Sequence, residues 1–369
     1  MDNCHFAYNG LHMSEHSFLK RRWKLILNIV TVIALVVLVY AIREQLTDTL
    51  SNLLRVHAWM LLALLPLQWL NYHAQTKMYQ GMFAMLGNKL NYKFLFKTSL
   101  ELNFVNQVFP SGGVTGISYF GMRLRNKEIT GGRATLIQII KLGLLFLSFE
   151  VLLVIGLFLL ALGGQANDLV ILVTGSISTL MIVGTLGFMS IIGSQKRIHT
   201  TFLYITKTIN RLIHLVRRKH PETIRISRIE GTVMELHSNY QQIRTQYKQL
   251  SWPFFWALVV NITEVFKIYV VYLAFGEFVN IGAVILAYSV ANFAGLVSVM
   301  PGGVGIYEAL MTGVLAAAGI PARLSLPVTV MYRVLSTLIQ LPVGYYFYNK
   351  TLRQNKDDAA KFREMHGDG

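Results

Sequence analysis

Long apolar runs separated by short basic stretches dominate this 369-residue chain. Six runs reach the roughly 20 residues that a bilayer crossing needs. They lie at about residues 23–42, 53–72, 134–162, 169–192, 252–275 and 324–348. Two further apolar segments are interrupted. The first, around residues 100–122, contains Phe109-Pro110-Ser111-Gly112-Gly113-Val114-Thr115-Gly116-Ile117. The second, within 281–318, contains Met300-Pro301-Gly302-Gly303-Val304-Gly305-Ile306. An Asn-Phe pair precedes each, Asn103-Phe104 and Asn292-Phe293. Proline removes a backbone donor and glycine loosens the chain, so neither phrase suits a plain spanning helix. Irregular backbone at membrane depth persists only where protein buries it or a wet cavity meets it. The pattern predicts an all-α polytopic membrane protein with about six full spans and two re-entrant or broken hairpins.

Loop charge orients these segments. Lys20-Arg21-Arg22-Trp23-Lys24 precedes the first run and predicts a cytoplasmic N-terminus. Lys77, Lys89, Lys93 and Lys97 mark a cytoplasmic stretch before the first interrupted segment, and Arg123, Arg125, Lys127 and Arg133 mark another after it. That hairpin therefore enters from the cytoplasm. The turns at 163–168 and 276–280 carry no Lys or Arg, so the second hairpin enters from outside. Span, hairpin, span thus occurs twice with opposite orientation, an inverted-topology repeat. The implied division is a polar tail at 1–19, with Met13 as an alternative start, and a first membrane half at 20–193. A basic cytoplasmic insert at 194–250, a second membrane half at 251–349 and a cytoplasmic tail at 350–369 complete it. In the insert, Ile226, Ile229, Val233, Leu236, Tyr240, Ile243 and Tyr247 recur at three and four, as do Ile198, Phe202, Ile205, Ile209, Leu212 and Val216. His220-Pro221 separates the two stripes. They read either as an antiparallel helical hairpin or as two helices on the lipid surface.

Composition narrows the function classes. Hydrophobic residues make up 53% and charged residues 14%, and mean hydropathy is +0.47. The formal net charge of +16 sits in loops beside apolar spans, so anionic lipid is its expected counterpart rather than nucleic acid. One cysteine, Cys4, excludes an internal disulfide framework. The histidines show no His-Glu-x-x-His spacing, and no metal or cofactor is expected. The expected location is the inner or plasma membrane, with both termini cytoplasmic.

Ionisable groups inside the spans are costly and mark functional candidates. They are Lys141, Glu150, Glu264, Lys267, Glu308 and Arg333. Glu264 and Lys267 are three apart and share a helix face, so they can neutralise each other. Lys141 and Glu150 are nine apart, out of phase on one helix, and each needs another partner. Glu308 begins the helix after the second glycine motif, where a helix N-terminus would hold a carboxylate. Arg333 faces either a functional cavity or a buried salt bridge with Glu308 or Glu150. Pro110, Gly112, Gly113, Gly116, Pro301, Gly302, Gly303 and Gly305 form turns that either present N–H groups to an anion such as a lipid phosphate, with Arg123 or Arg333 adding charge, or allow close helix packing. Asn103, Asn106, Gln107 and Asn292 either cap broken helices or touch a polar head group. Trp59, Trp69, Trp252 and Trp256 read as interfacial anchors, with a groove as the alternative for Trp69.

The phrases at 110–116 and 301–305, Glu308, and Arg333 followed by Leu341-Pro342-Val343-Gly344 resemble the lysylphosphatidylglycerol synthase transmembrane-region family over about residues 20–350. The resemblance implies a flippase-like integral membrane domain without the aminoacyltransferase domain of larger members. It points to translocation or binding of a phospholipid or polyprenyl-linked glycolipid in cell-envelope biogenesis, by a protein that is not an enzyme. Two other readings stand beside it. One is a membrane-bound lipid-carrier glycosyl or phosphoryl transferase; no Asp-x-Asp pair or phosphate-binding loop supports it. The other is a scaffold that docks an envelope-biosynthesis enzyme on the 194–250 insert.

Overall fold

The computed structural model describes residues 56–109, 114–164, 167–194, 238–295 and 305–366, with isolated positions besides. The first expected span, most of the basic insert, and Pro110, Gly112, Gly113, Pro301, Gly302 and Gly303 lie outside the described residues. All regular structure among the described residues is helical.

A 3-10 turn, Ala58–Ala63, leads into α1, Leu64–Met85. Next come α2, Tyr92–Val108, and α3, Val114–Arg125, the two arms of the first interrupted segment. Asn91 starts α2 by accepting the Lys93 N–H at 2.8 Å. The long helices α4, Gly131–Leu162, and α5, Asp168–Ile192, follow. Residues 238–245 are helical, and a 3-10 turn, Tyr247–Leu250, joins them to α6, Ser251–Ala274. The second interrupted segment gives α7, Ile281–Gly295, and α8, Ile306–Ala317; α9 then runs Ala322–His366.

Four described stretches are long and apolar enough to cross a membrane: Gly131–Leu162, Val170–Gly187, Tyr247–Ala274 and Ala322–Gln354. They match four of the expected spans. The arms α7 and α8, of 15 and 12 residues, rise about 22 and 18 Å, too short for a hydrocarbon layer of about 30 Å.

Three boundaries differ: α2 begins at Tyr92 rather than near residue 100, α9 runs on through the expected tail to His366, and the second span shifts. The expected span at 53–72 becomes the turn and α1, which starts later and runs on to Met85. Lys77 therefore belongs to a helix rather than to a loop, and α1 lacks the apolarity of a candidate span. Hydropathy placed the run too early because the second half of α1 is polar yet enclosed. Gln68, Asn71, Gln75 and Thr76 are all buried: Asn71 and Gln68 bond groups of α6, while Gln75 and Thr76 bond Asn71 and Tyr72 within α1.

Two apolar cores organise the bundle. One gathers the C-terminal half of α4 from Phe149 to Leu160 with Val170 and Met181 of α5, Val265–Tyr272 of α6, Ala283–Ala291 of α7, Tyr307, Met311 and Leu315 of α8, and Val328–Tyr332 of α9. The other gathers Met78–Leu86, α2, α3, the first half of α4 from Ala134 to Leu144, Ala257 and Tyr348. Helices α1, α4, α6 and α9 pass through both cores, whereas the described residues of each interrupted segment fall in one. Helices α4 and α7 cross at backbone contact: a Cβ on Gly282 would stand 2.5 Å from the Gly156 carbonyl oxygen. Ile243, before α6, is buried in the second core, so the end of the basic insert docks on the membrane body.

Candidate functional site: a polar chamber at the junction of the two cores

Between the two cores lies a chamber of about 290 Å³. Asn71 and Gln75 of α1, Asn103 of α2, Lys141 of α4, Asn261 and Glu264 of α6, Tyr288 and Asn292 of α7 and Tyr332 of α9 supply its polar wall. Leu145, Phe146 and Phe149 close it on the apolar side. Asn103 and Asn292, the asparagines that precede the two glycine phrases, face this one space from different hairpins. Asn292 also donates its side-chain amide to the Tyr288 carbonyl at 2.8 Å, so it serves both the helix end and the chamber.

A hydrogen-bond network fixes the Glu264 wall. Lys267, fully buried, donates to Glu264 Oε1 at 2.8 Å and to Gln68 Oε1 at 2.6 Å. Tyr332 donates to Glu264 Oε2 at 2.5 Å, and Asn71 Nδ2 to Oε1 at 3.1 Å. Gln75 in turn donates to Asn71 Oδ1 at 2.8 Å. Both oxygens of this carboxylate accept hydrogen bonds, one of them from a cation, as a charge held in low dielectric requires. The expected Glu264–Lys267 neutralisation is present.

The opposite wall is different. Lys141 donates to the Tyr79 hydroxyl at 3.0 Å, and its ammonium lies 5.0 Å from the centre of the Tyr79 ring. No carboxylate lies within salt-bridge distance of it among the described residues. With Glu264 matched by Lys267, the charge left over on the chamber wall is the Lys141 cation.

Two other ion pairs hold the hairpins from outside the chamber. Arg333 donates to Glu308 Oε1, while the Gly305 N–H donates to Glu308 Oε2 at 2.7 Å. Gly305, at φ +89°, turns the chain into α8, and Glu308 closes that turn. The Arg333 guanidinium also lies 4.7 Å from the centre of the Tyr307 ring. Of the two roles expected for Arg333, the buried salt bridge with Glu308 is the one present. Arg123 bonds Glu101 at 3.0 Å, tying α3 to α2. It stands over the Phe94 ring at 4.9 Å. Its charge thus goes to Glu101, a fully buried carboxylate that also accepts from Tyr119 at 2.9 Å and Thr351 at 2.6 Å.

The remaining candidates disperse. Gln107 donates to Thr337 at 3.3 Å, a hairpin-to-α9 contact. Asn106 is exposed and lies so near Gly116 that a Cβ there would stand 2.0 Å from its Oδ1, which favours the packing reading of Gly116. Glu150 is half-buried outside the chamber wall, and its Oε1 has no hydrogen-bond partner. Trp59, Trp69 and Trp252 are exposed, in keeping with interfacial anchors. Sequence reasoning missed Asn71, Gln75, Asn261, Tyr288, Tyr332 and Glu101. A lone amide inside an apolar run, such as Asn261 in Val259-Val260-Asn261-Ile262, was the available signal.

A multi-pass, all-α membrane protein with a partly open, polar-lined chamber among its helices is the class that fold and site define. The sequence matches the family described as lysylphosphatidylglycerol synthase TM region over residues 25–344, and the chain belongs to that family. A UPF0104 membrane protein of Methanothermobacter thermautotrophicus is 29% identical over 108 residues, covering 29% of this chain and 32% of the relative. A UPF0104 membrane protein of Pyrococcus horikoshii is 22% identical over 188 residues, covering 51% and 55%. The matched regions thus span about a third and about half of those relatives' lengths.

Proposed function

We infer that this chain is a flippase-like protein. It takes the anionic head group of a phospholipid or polyprenyl-linked glycolipid into the chamber and passes it between leaflets during envelope biogenesis. The observation that carries the reading is the meeting of Asn103 and Asn292 in one polar space whose surplus charge is Lys141. Chamber amides offer both donors and acceptors to a phosphate or sugar, and Lys141 supplies the charge complement. Acyl chains would stay in the bilayer while the head group crosses, so no bond need form or break.

The confinement of each hairpin to its own core supports an inverted repeat with hairpins entering from opposite leaflets. Basic residues flank the α2–α3 core, at Lys89, Lys93, Arg125, Lys127 and Arg133. The turns beyond the other core, at 163–167 and 276–280, have none. This asymmetry favours a cytoplasmic α2–α3 end and cytoplasmic termini in the plasma membrane.

The test is reconstitution of the full chain in vesicles with fluorescent phosphatidylglycerol, fluorescent phosphatidylcholine and a labelled polyprenyl phosphate. Transbilayer movement of an anionic probe above that in protein-free vesicles, reduced by Lys141→Ala, is the expected result. Equal rates with and without protein, with or without an ion gradient, would refute the reading.

A further inference from the structure

A second cavity lies outside the chamber, along the outer side of α4. It holds about 400 Å³. Its floor is Leu136, Ile139, Ile140, Leu144 and Leu147 of α4, and its rim is Tyr240, Arg244 and Tyr247 of the segment before α6. That segment is anchored at the basic end of the bundle. Gln242 donates to the Met85 carbonyl at 3.2 Å, and Arg133 donates to Asn239 Oδ1 at 3.4 Å.

We propose that this groove holds one acyl chain of an anionic glycerophospholipid from the leaflet at that end, with its phosphate on Arg244, as a bound lipid distinct from any head group in the chamber. Three observations lead there. From Leu136 to Leu147 the floor runs about 16 Å along the helix, half of a hydrocarbon core of about 30 Å. The groove is therefore one leaflet deep. A cavity of 400 Å³ over that length is wide enough for an alkyl chain. The lining is apolar along its depth, and the exposed Arg244 stands at the rim with no ion pair among the described residues. Lys248 lies four residues on, also exposed. An apolar slot that ends in a cationic, tyrosine-flanked rim matches a molecule with a hydrocarbon tail and an anionic head. Beside Gly143 the slot is open, since a Cβ there would meet no atom within 4 Å.

The experiment uses the full chain in phosphatidylcholine vesicles containing a minor fraction of photoactivatable phosphatidylglycerol, with photoactivatable phosphatidylcholine in parallel. Cross-linked peptides are mapped by mass spectrometry. Adducts from phosphatidylglycerol are expected on residues 136–147 and 240–254. Arg244→Ala should lower them about fivefold, and Arg244→Ala with Lys248→Ala about 30-fold, at about 1 kcal/mol per interfacial cation. Gly143→Phe fills the slot and should remove the adducts from both lipids. Because Arg244 is exposed, its replacement leaves the buried cores intact, which an unchanged melting temperature checks. Equal labelling by the two lipids, adducts that survive Gly143→Phe, or undiminished labelling in the double alanine variant would overturn the proposal.

Discussion

Replacing Lys267 by methionine keeps the reach of the side chain and removes its charge. Its ammonium lies 2.8 Å from Glu264 Oε1 and is fully buried. At an effective dielectric of about 20 the attraction over that distance is about 6 kcal/mol, most of which offsets desolvation of the two groups. Loss of one partner strands the other, at about 3–5 kcal/mol. Tyr332 and Asn71 still donate to Glu264, so the lower end, about 3 kcal/mol, is expected for Lys267→Met. Glu264→Gln strands the lysine with Gln68 and should cost a similar amount. Lys267→Met with Glu264→Gln leaves no buried charge, and its expected loss is only about 1–2 kcal/mol. Unfolding of the purified chain in mixed micelles, run as a double-mutant cycle, measures all three. A double variant as unstable as the two single losses added together would refute the coupled network.

Gly282→Val should push α7 off the Gly156 backbone and cost about 1–3 kcal/mol in the same assay, whereas Gly175→Ala, with no neighbour within 4 Å, should be neutral or slightly stabilising. Gly305→Ala at φ +89° should cost about 1–2 kcal/mol and loosen the Glu308 turn, read as faster hydrogen exchange at the start of α8. In a Cys4→Ser background, Asn103→Cys and Asn292→Cys should react with a small charged thiol reagent and be protected by an anionic lipid probe. Leu153→Cys, fully buried in an apolar core, should stay unlabelled.

Much of this architecture was legible in the sequence because spanning helices and glycine breaks leave strong one-dimensional traces. The runs that became α4, α5, α6 and α9 lie close to where hydropathy placed them. The Glu264–Lys267 and Glu308–Arg333 pairs were readable because charge in an apolar run demands a partner. The placement of α1 was not readable. Its buried polar stretch looks like loop until the α6 groups that pair with Gln68 and Asn71 are in place. Glu101 was hidden for the same reason: its donors, Tyr119, Arg123 and Thr351, come from two other helices up to 250 positions away. Asn261 stands out as a lone amide in an apolar run and Tyr332 does not, and only the assembled walls reveal that they share a space.

Helix α9 carries Arg333, next to the chamber residue Tyr332, and Thr351 against Glu101, then continues to His366. At 1.5 Å per residue its 45 residues reach about 68 Å, beyond the roughly 45 Å of a whole bilayer. Pro327 and Pro342 lie inside it and each removes one backbone hydrogen bond, while Tyr348 and Thr351 still tie the helix to the second core. Beyond Thr351 the rod measures about 22 Å, so a tilt of about 5° swings its tip by roughly 2 Å. The C-terminal rod is thus a lever arm, and a fluorophore at its tip would register rearrangements too small to see at Arg333 itself.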